Sequence, residues 1–304
     1  MRTDDQPTAK LFEQLSAVAY QAHPYRVPVI GWMDDLENMT VHDARAWYQQ
    51  WYVPNNAYVV VVGDVDHREV FRLAERYYGK LKPRALPERK PQREPEQQGV
   101  RRLTVKAPAD LPVVLLAFKA PTLRDVERDS DPYALEMLSA ILDGHDAARF
   151  TKNLVRSQRL AVSARAGYDA TARGPGLFYL SASPSAGHTV AELETALRAE
   201  VARIAEAGVT PEELERAKAQ LVAGEIYKLD SMFAQAMEIG QLEAVGIAHG
   251  KGKRLIEKLQ QVSAEQVQAV AARYFGDDGL TVGVLDPQPL PDAPRRPQAP
   301  AGRH

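Results

Sequence analysis

The chain has 304 residues, of which 45% are hydrophobic and 26% are charged, and its 38 Lys and Arg against 40 Asp and Glu leave a formal charge of -2. This balance is ordinary for a globular protein and lacks the basic excess needed to bind a phosphate backbone, so nucleic acid is excluded as a partner. No run of eighteen apolar residues and no cysteine occurs, which excludes a transmembrane segment, disulfides, thiol nucleophiles and thiolate zinc sites.

Helices and one strand are predicted for the first eighty residues. Apolar side chains recur at helical spacing over residues 9–22, and this helix ends before Pro24 because the residue ahead of a proline avoids helical backbone. Thr40 and Asp43 have the spacing of an N-cap and its partner, which predicts a second helix. The β-branched run AYVVVVGDV, residues 57–65, is typical of a strand buried on both faces.

A proline-rich, charged segment separates this region from the rest of the chain. After a helix predicted over residues 67–80, residues 81–100 carry four prolines among charged side chains, which neither a helix nor a central strand tolerates. We interpret the segment as an interdomain linker. The tail, residues 287–304, is also proline-rich and is predicted to be disordered.

The remaining part of the chain, residues 101–286, predicts a mixture of strands and helices. Strands are predicted for RLTVKAP, PVVLLAFKAP, LAVSARAGYDA and GLFYLSASP, and the last two are expected to pair across the turn at residues 174–176. Helices are predicted for YALEMLSAILDG, for DAARFTKNLVRS and for most of residues 189–262. One of them opens with the capping box of Thr210 and Glu213.

The end of the first region recurs near the end of the chain. With an offset of 223 residues, Thr40 falls on Ser263 and Ala46 on Ala269, and both copies read as N-cap, helix, polar turn and apolar strand. A chance likeness is the alternative, because any capped helix followed by a strand has this pattern. Each copy closes its half of the chain, however, which favours two homologous halves with about 120 residues of the first one absent.

Four segments have a distinctive combination of motifs, and they are HPYRVPVIGW, YVPNNAYVVVVGDVD, NLVRSQRLAVSARAGYDATARGPGLFYLSASP and TPEELERAKAQLVAGE. Together they resemble the pitrilysin/insulinase family of zinc metallopeptidases, in its shorter bacterial and mitochondrial-processing branch. The resemblance implies an α+β fold of tandem homologous domains, each an antiparallel sheet with helices on one face, closing like a clamshell around an unfolded peptide. Residues 1–80 would then be the remnant of a first domain, and residues 101–286 a complete second one.

The resemblance implies zinc for the complete family protein but no catalytic or metal-binding residue in this chain. Family members bind zinc through H-x-x-E-H on a helix and a distant glutamate, and the glutamate inside the motif activates the zinc-bound water. No two of the seven histidines here lie within ten residues of each other, and every zinc ligand is expected ahead of Met1. In the second half, YALEMLSAILDG takes the place of the zinc helix and offers only Glu136.

Some family members supply an arginine and, seven residues later, a tyrosine that bind the substrate backbone. The resemblance puts Val155 and Val162 at these positions, and Arg156 and Arg159 do not replace the pair, because a one-residue shift in a strand turns a side chain to the other face. In this branch the zinc site and the Arg/Tyr pair can be divided between two chains. The two valines therefore imply the zinc-bearing partner of a homo- or heterodimer that acts on peptide or unfolded polypeptide.

Several further residues have two interpretations each. Phe12 aligns with a family aromatic residue that contacts bound peptide, and core packing is the alternative. His23 is interpreted as a loop-packing residue rather than a metal ligand, and His145 with Asp146 as a helix cap rather than a catalytic base and its orienter. The GLFYLSASP strand is expected to line the peptide chamber and to accept substrate as an added strand.

Two functions follow as hypotheses. In the first, the chain is part of a zinc-dependent metalloendopeptidase subunit that hydrolyses peptides in a two-domain clamshell, and it is inactive alone because the zinc motif is absent. In the alternative, it is a noncatalytic peptide-binding or partner subunit of the same family. The compartment is unassigned; the chain as given is expected to be soluble, and the resemblance implies export of the complete protein to the bacterial periplasm.

Overall fold

A computed structural model describes residues 5–289 of the chain, and part of the predicted disordered tail, from residue 290 on, lies outside this range. The helices in it are α1 (Pro7–Ala19), α2 (Met33–Asn38), α3 (Val41–Trp51), α4 (His67–Tyr78), α5 (Asp131–Asp143), α6 (Val190–Ala207), α7 (Pro211–Lys228), α8 (Met232–Val245), α9 (Gly252–Gln260) and α10 (Ala264–Tyr274). The strands are β1 (Arg101–Pro108), β2 (Val113–Ala120), β3 (Ala161–Tyr168), β4 (Gly176–Pro184) and β5 (Leu280–Gln288).

The five strands form one sheet in the order β1-β5-β2-β4-β3. The predicted α+β class, a sheet with packed helices, is confirmed. The β2–β5, β2–β4 and β3–β4 pairs are antiparallel, as expected, whereas β1 and β5 are parallel, with Arg101 opposite Thr281. Because parallel neighbours need a long crossover connection, β5 joins β1 only after the chain has passed through the other strands and helices of this region.

The larger hydrophobic core lies between the sheet and the helices that follow β2. In β2 the side chains of Val114, Leu116 and Phe118 enter this core, and the alternate residues Leu115 and Ala117 enter a second core on the other face. A strand covered on both faces reads as a continuous hydrophobic run, which is why VVLLAFKA shows no polar alternation.

The second core is closed by α1, which lies on the face of the sheet opposite the other helices. Leu11, Leu15 and Ala19 are fully buried there. A Cβ atom added to Gly283 of β5 would lie 2.9 Å from Leu11 Cδ1 and 3.0 Å from Leu15 Cδ1. The missing side chain of Gly283 therefore allows α1 to approach the sheet closely, and both faces of the sheet are covered rather than one.

The strand predicted for residues 57–65 is wrong. Within the described range this segment has no regular secondary structure, and Val59 is 69% exposed. The same offset of 223 residues relates it to β5, which is hydrogen-bonded to β1 on one side and β2 on the other. A strand needs neighbouring strands for its backbone groups, and no described strand pairs with residues 57–65, so β propensity alone does not form one here.

The helices of the repeat agree with the same offset. It places α3 on α10 at both ends, and each helix begins with a complete capping box, formed by Thr40 with Asp43 and by Ser263 with Gln266. The capping box of Thr210 and Glu213 at the start of α7 is also present as predicted. These ends are determined locally, because each cap joins residues only three positions apart.

The linker has no helix or strand, as predicted, but its second half packs against the sheet. Gln97 is buried, and its Nε2 donates to the carbonyl oxygen of Leu280 at 2.7 Å. The Glu94 carboxylate accepts hydrogen bonds from three backbone amides of residues 21–23. The division of the chain into two domains at this segment stays a prediction.

Hydrogen exchange is expected to separate the first region from the second. No residue of α3 or α4 is buried, whereas β2 and β4 lie inside two cores. Because amides in poorly buried helices open locally, we expect those of α3 and α4 to be protected at least about a hundredfold less than those of β2 and β4. Mass-spectrometric exchange at a concentration where the protein is monomeric measures this, and equal protection in α3 and β4 would contradict it.

Candidate functional site

The segment HPYR forms a loop that packs on the turn at residues 172–176. Tyr25 Oη accepts the backbone N–H of Gly174 at 2.9 Å, and the His23 ring lies 4.6 Å from the Tyr25 ring, centre to centre. A Cβ atom on Gly174 would lie 2.3 Å from His23 Cε1, so only glycine allows this contact. Burial lowers the pKa of His23. These contacts agree with the interpretation of His23 as a loop-packing residue.

Tyr20, the residue directly after α1, ties this helix to the same turn. Its hydroxyl donates to the carbonyl oxygen of Pro175 at 2.8 Å, and Lys119 Nζ lies 4.1 Å from the centre of its ring. Burial raises the pKa of Tyr20 and lowers that of Lys119. Lys119 Nζ is also 3.3 Å from a carboxylate oxygen of Glu94, which gives the buried ammonium an ion-pair partner.

A groove of about 770 Å³ opens between α1, the HPYR loop, β4 and α8, and we call it the peptide groove. Its lining includes the aromatic side chains of Tyr20, Tyr25 and Tyr179 and the polar ends of Ser16 and Gln241. A concave surface with apolar and aromatic walls and few polar groups is the usual form of a ligand-binding site. The groove is therefore the candidate ligand-binding surface of this chain.

Phe12 lies beside the peptide groove without being one of its lining residues. Its ring meets that of Tyr179 edge to face, with 5.5 Å between ring centres, and 38% of the residue remains exposed. Phe12 thus packs against the sheet and also presents part of its surface to solvent. Its role as a substrate contact stays a prediction.

The two valines at the expected Arg/Tyr positions lie in different environments. Val155 belongs to a π-helical segment, Phe150–Ser157, and packs against the larger core. Val162 lies on β3 and is 56% exposed, at an irregularity in the pairing with β4. Among residues 5–289, Arg159 between them is the one non-glycine residue with positive φ, at 56°. A side chain at position 162 is accessible to a peptide, and one at position 155 is held by the core.

The expectation that GLFYLSASP accepts an added strand is wrong. This segment is β4, which is hydrogen-bonded to β2 on one side and to β3 on the other, so its backbone groups are already paired. The edge of the sheet on this side is β3. There the Asp143 carboxylate accepts the backbone N–H of Ala166 at 3.2 Å, which protects part of this edge from a further strand. The role left for β4 is to supply Tyr179 to the groove.

His145 and Asp146 do not form a catalytic pair. His145 Nδ1 accepts the backbone N–H of Ala147 at 3.0 Å, a local contact within the turn after α5. His145 therefore stabilises a turn and does not cap a helix. No signal other than residue type suggested catalysis at this position.

Zinc does not fit the side chains of the described region. Between residues 5 and 289, no group of three His, Asp or Glu side chains is placed so that it could hold a metal ion. Structural and catalytic zinc sites need three or four such ligands. The described side chains therefore supply no zinc-dependent step.

Sequence reasoning missed the groove residues Tyr25 and Tyr179 and the carboxylate of Glu94. Tyr179 occupies an alternate position of β4, and its face could have been inferred only once the other face was known to enter the larger core. Glu94 lies in a segment without regular structure, more than seventy residues from the amides that it binds. No local pattern marks such a contact.

Comparison with known proteins identifies related sequences over most of the chain. A family model described as "Peptidase M16 inactive domain" matches residues 38–221. The zinc protease PqqE of Helicobacter pylori is 28% identical over 293 residues, in a match that covers 94% of this chain and 64% of PqqE. The chain thus spans about three-fifths of the length of the curated relatives that it matches first.

Two solved structures share the fold. The crystal structure of a protease from Helicobacter pylori superposes with a TM-score of 0.86 at 28% identity, over 94% of this chain and 68% of that one. The periplasmic protease PqqL from Escherichia coli superposes with a TM-score of 0.75 at 16% identity, over 92% of this chain and 32% of PqqL. The second likeness concerns the fold alone. In the part of the chain that is described, no helix is long and apolar enough to cross a membrane.

Proposed function

The chain belongs to the M16 peptidase family, whose inactive domain it carries, and from this premise we propose that it is the noncatalytic, peptide-holding part of a zinc-dependent metalloendopeptidase subunit. The observation that carries the proposal is the match of the inactive-domain model to residues 38–221. Relatives named as zinc proteases are longer than this chain, which supports a catalytic part elsewhere in the complete subunit.

In this proposal the complete protein hydrolyses peptides in a clamshell of two domains. The zinc motif H-x-x-E-H belongs to the other domain, and the peptide groove of this chain holds the substrate against it. Support comes from the groove itself, whose tyrosine rings offer apolar surface. The zinc ion, the substrate and the location in a bacterial periplasm are assigned to the complete protein and not to this chain.

The exposed apolar surface of the first region supports a covering domain or partner chain. Trp47 and Phe71, on α3 and α4, are largely exposed together with Val59, Val61 and Val65. Monomeric proteins rarely expose contiguous apolar patches of this kind. We propose that the rest of the first domain covers this surface within the subunit, and that the subunit pairs with a second family chain as a homo- or heterodimer.

The alternative is that the chain is itself a noncatalytic partner subunit. The same inactive-domain match favours this alternative. The valines at positions 155 and 162 argue against it, because a partner subunit would carry the Arg/Tyr pair there. The intact mass of the native protein separates the two. A mass near 33.7 kDa favours the partner subunit, and a mass larger by about 13 kDa, as a complete first repeat requires, favours the peptidase subunit.

The chain alone is expected to hydrolyse no peptide and to bind no stoichiometric zinc, because it lacks the ligands and the general base. A fluorogenic peptide library with added zinc, together with metal analysis of the purified protein, measures both. The matched control is the longer product of the source gene, which should be active and should lose activity when the glutamate of its H-x-x-E-H motif is replaced. Zinc-dependent cleavage by the chain alone would contradict the proposal. A source gene without in-frame codons for that motif would contradict it as well.

A further inference from the structure

A second cavity, of about 220 Å³, lies where α5, α7, α8 and α9 meet, and we call it the helix cavity. It is distinct from the peptide groove but shares part of a wall with it, formed by Asp169, Thr171 and Gln241. Leu255 and Ile256 of α9 give the helix cavity an apolar side. The proposed function makes no use of this cavity.

Two carboxylates of the helix cavity, those of Glu136 and Glu238, have no hydrogen-bond or ion-pair partner among residues 5–289. Glu136 projects from α5, is largely buried, and has no hydrogen-bond donor or ion pair within residues 5–289. The nearby tyrosines cannot supply one, because Tyr133 donates its hydroxyl proton to the carbonyl oxygen of Val126 at 3.0 Å and Tyr168 donates to that of Pro121. A buried polar group without a partner destabilises the folded protein. A bound ligand or a change of its protonation state would relieve this penalty.

The other charged groups around the helix cavity leave an excess of negative charge. Glu225 and Lys228 come from α7, Glu238 comes from α8, and Asp169 comes from the loop after β3, while α9 contributes no titratable side chain. Lys228 Nζ lies 2.5 Å from Glu225 and is occupied by that pair. One cation therefore faces four carboxylates.

Burial has a measurable consequence for Glu136. It raises the pKa of this carboxyl to about 7, the negative charges of Glu225 and Asp169 act in the same direction, and Lys228 opposes them. The group is thus partly ionised near neutral pH. A cation entering the cavity would favour the ionised form and would relieve the unpaired charge.

We propose that the helix cavity binds an organic cation, a primary ammonium or guanidinium group on a short aliphatic chain, with Glu136 as its counter-ion. The charge excess selects a cation, and Leu255 with Ile256 offers apolar surface to the aliphatic part. A metal ion is the weaker match, because the described acidic side chains do not converge in a group of three. Charge-assisted hydrogen bonds to a carboxylate supply the specificity.

The cation has two sources with the same chemistry. It is either a free small amine or the side chain of a lysine or arginine in a peptide lying in the peptide groove, since the two cavities share Asp169 and Gln241. The second source rests on the proposed function, and the first does not. Separate probes therefore keep the failure of one apart from the failure of the other.

Isothermal titration of the whole chain with agmatine, which carries both a guanidinium and an ammonium group, tests the site directly. We expect Glu136→Gln to weaken binding at least about tenfold, because it removes the counter-ion and keeps the size of the side chain. Glu215→Gln, on α7 and outside the cavity, should leave affinity within about twofold. Wild-type affinity should rise about tenfold from pH 6 to pH 8, as the ionised fraction of a group with a pKa of about 7 rises.

The melting temperature distinguishes a ligand-binding role of Glu136 from a role in holding the fold together. Glu136→Gln should melt no lower than wild type at pH 8, since it removes a buried charge that has no protein partner. If Glu136→Gln does not fold, Glu238→Gln tests the same site. We expect this second variant to lose about twofold or more in agmatine affinity. Agmatine binding that is unchanged in both variants, or zinc binding alone that depends on Glu136, would overturn the proposal.

The peptide source has its own pair of probes. An extended peptide with one arginine is compared with the same peptide carrying citrulline, its neutral isostere. A peptide that binds at least about tenfold tighter than agmatine, and loses this gain with citrulline, identifies a basic side chain as the ligand. Equal binding of both peptides, with agmatine binding retained, identifies a free amine. Both results support the cation site.

Discussion

Replacing Leu15 by alanine is expected to weaken the docking of α1 on the sheet by about 2–5 kcal/mol, the usual range for removing a buried leucine side chain. Leu15 is fully buried in the second core. The facing residue, Gly283, has no side chain that could move into the space left behind. Because the surroundings cannot collapse, we expect a value in the upper half of the range.

The loss should be local. The buried residues of α1 belong to the second core, whereas the larger core on the opposite face also holds β2 and β4. Amides of α1 should lose hydrogen-exchange protection while those of β2 and β4 keep most of theirs, and limited proteolysis should cut within residues 7–22. The matched control is Gln14→Ala on the same helix, a half-exposed residue expected to change stability by less than about 0.5 kcal/mol. Equal effects of both variants would refute the assignment of α1 to a packed layer.

Replacing Glu94 by glutamine is expected to destabilise the loop after α1 by about 3 kcal/mol at pH 7. The Glu94 carboxylate accepts the backbone N–H groups of Gln21 at 2.7 Å and of Ala22 and His23 at 2.9 Å, and its side chain is 7% exposed. These amides and Lys119 hold the pKa of Glu94 at about 2, against the burial that opposes ionisation. Glutamine keeps the shape and loses the charge, which also leaves Lys119 buried without an ion pair.

The effect should depend on pH in one direction. The pKa of Glu94 in the folded protein lies below the ordinary glutamate value of 4.5, so its stabilisation is complete above about pH 5.5 and is lost as the pH falls towards about 2. The difference in unfolding free energy between wild type and Glu94→Gln should shrink over that window. Chemical denaturation at several pH values measures it, with the exposed neighbour in Glu96→Gln as the control. A difference that is constant from pH 7 to pH 3 would refute the role of the charge.

The loop that Glu94 holds is also one wall of the peptide groove. Residues 21–23 lead directly into Tyr25, which contacts the turn at Gly174. A chain that loses the Glu94 contacts should therefore also lose affinity for any peptide bound in the groove. This links a residue of the linker to the proposed function without placing it in contact with substrate.

The sequence by itself determined the family, most helices and their caps, most strands of the second region, and the absence of paired histidines, but not helix α2. These features depend on residues close together in the chain, such as Thr40 with Asp43 or Thr210 with Glu213, or on motif spacing. Where a pattern was strong and its partners were local, the prediction and the structure agree.

The tertiary structure alone decided that residues 57–65 form no strand, which strand lies at the edge, and which face each element covers. Residues 57–65 and β5 have the same apolar pattern, yet only β5 has neighbours that pair with its backbone. The central position of β4, the place of α1 on the second face and the contact of Glu94 with residues 21–23 likewise join segments far apart in sequence. Such contacts depend on which surfaces the folded chain brings together, and a local pattern carries no information about its distant partner.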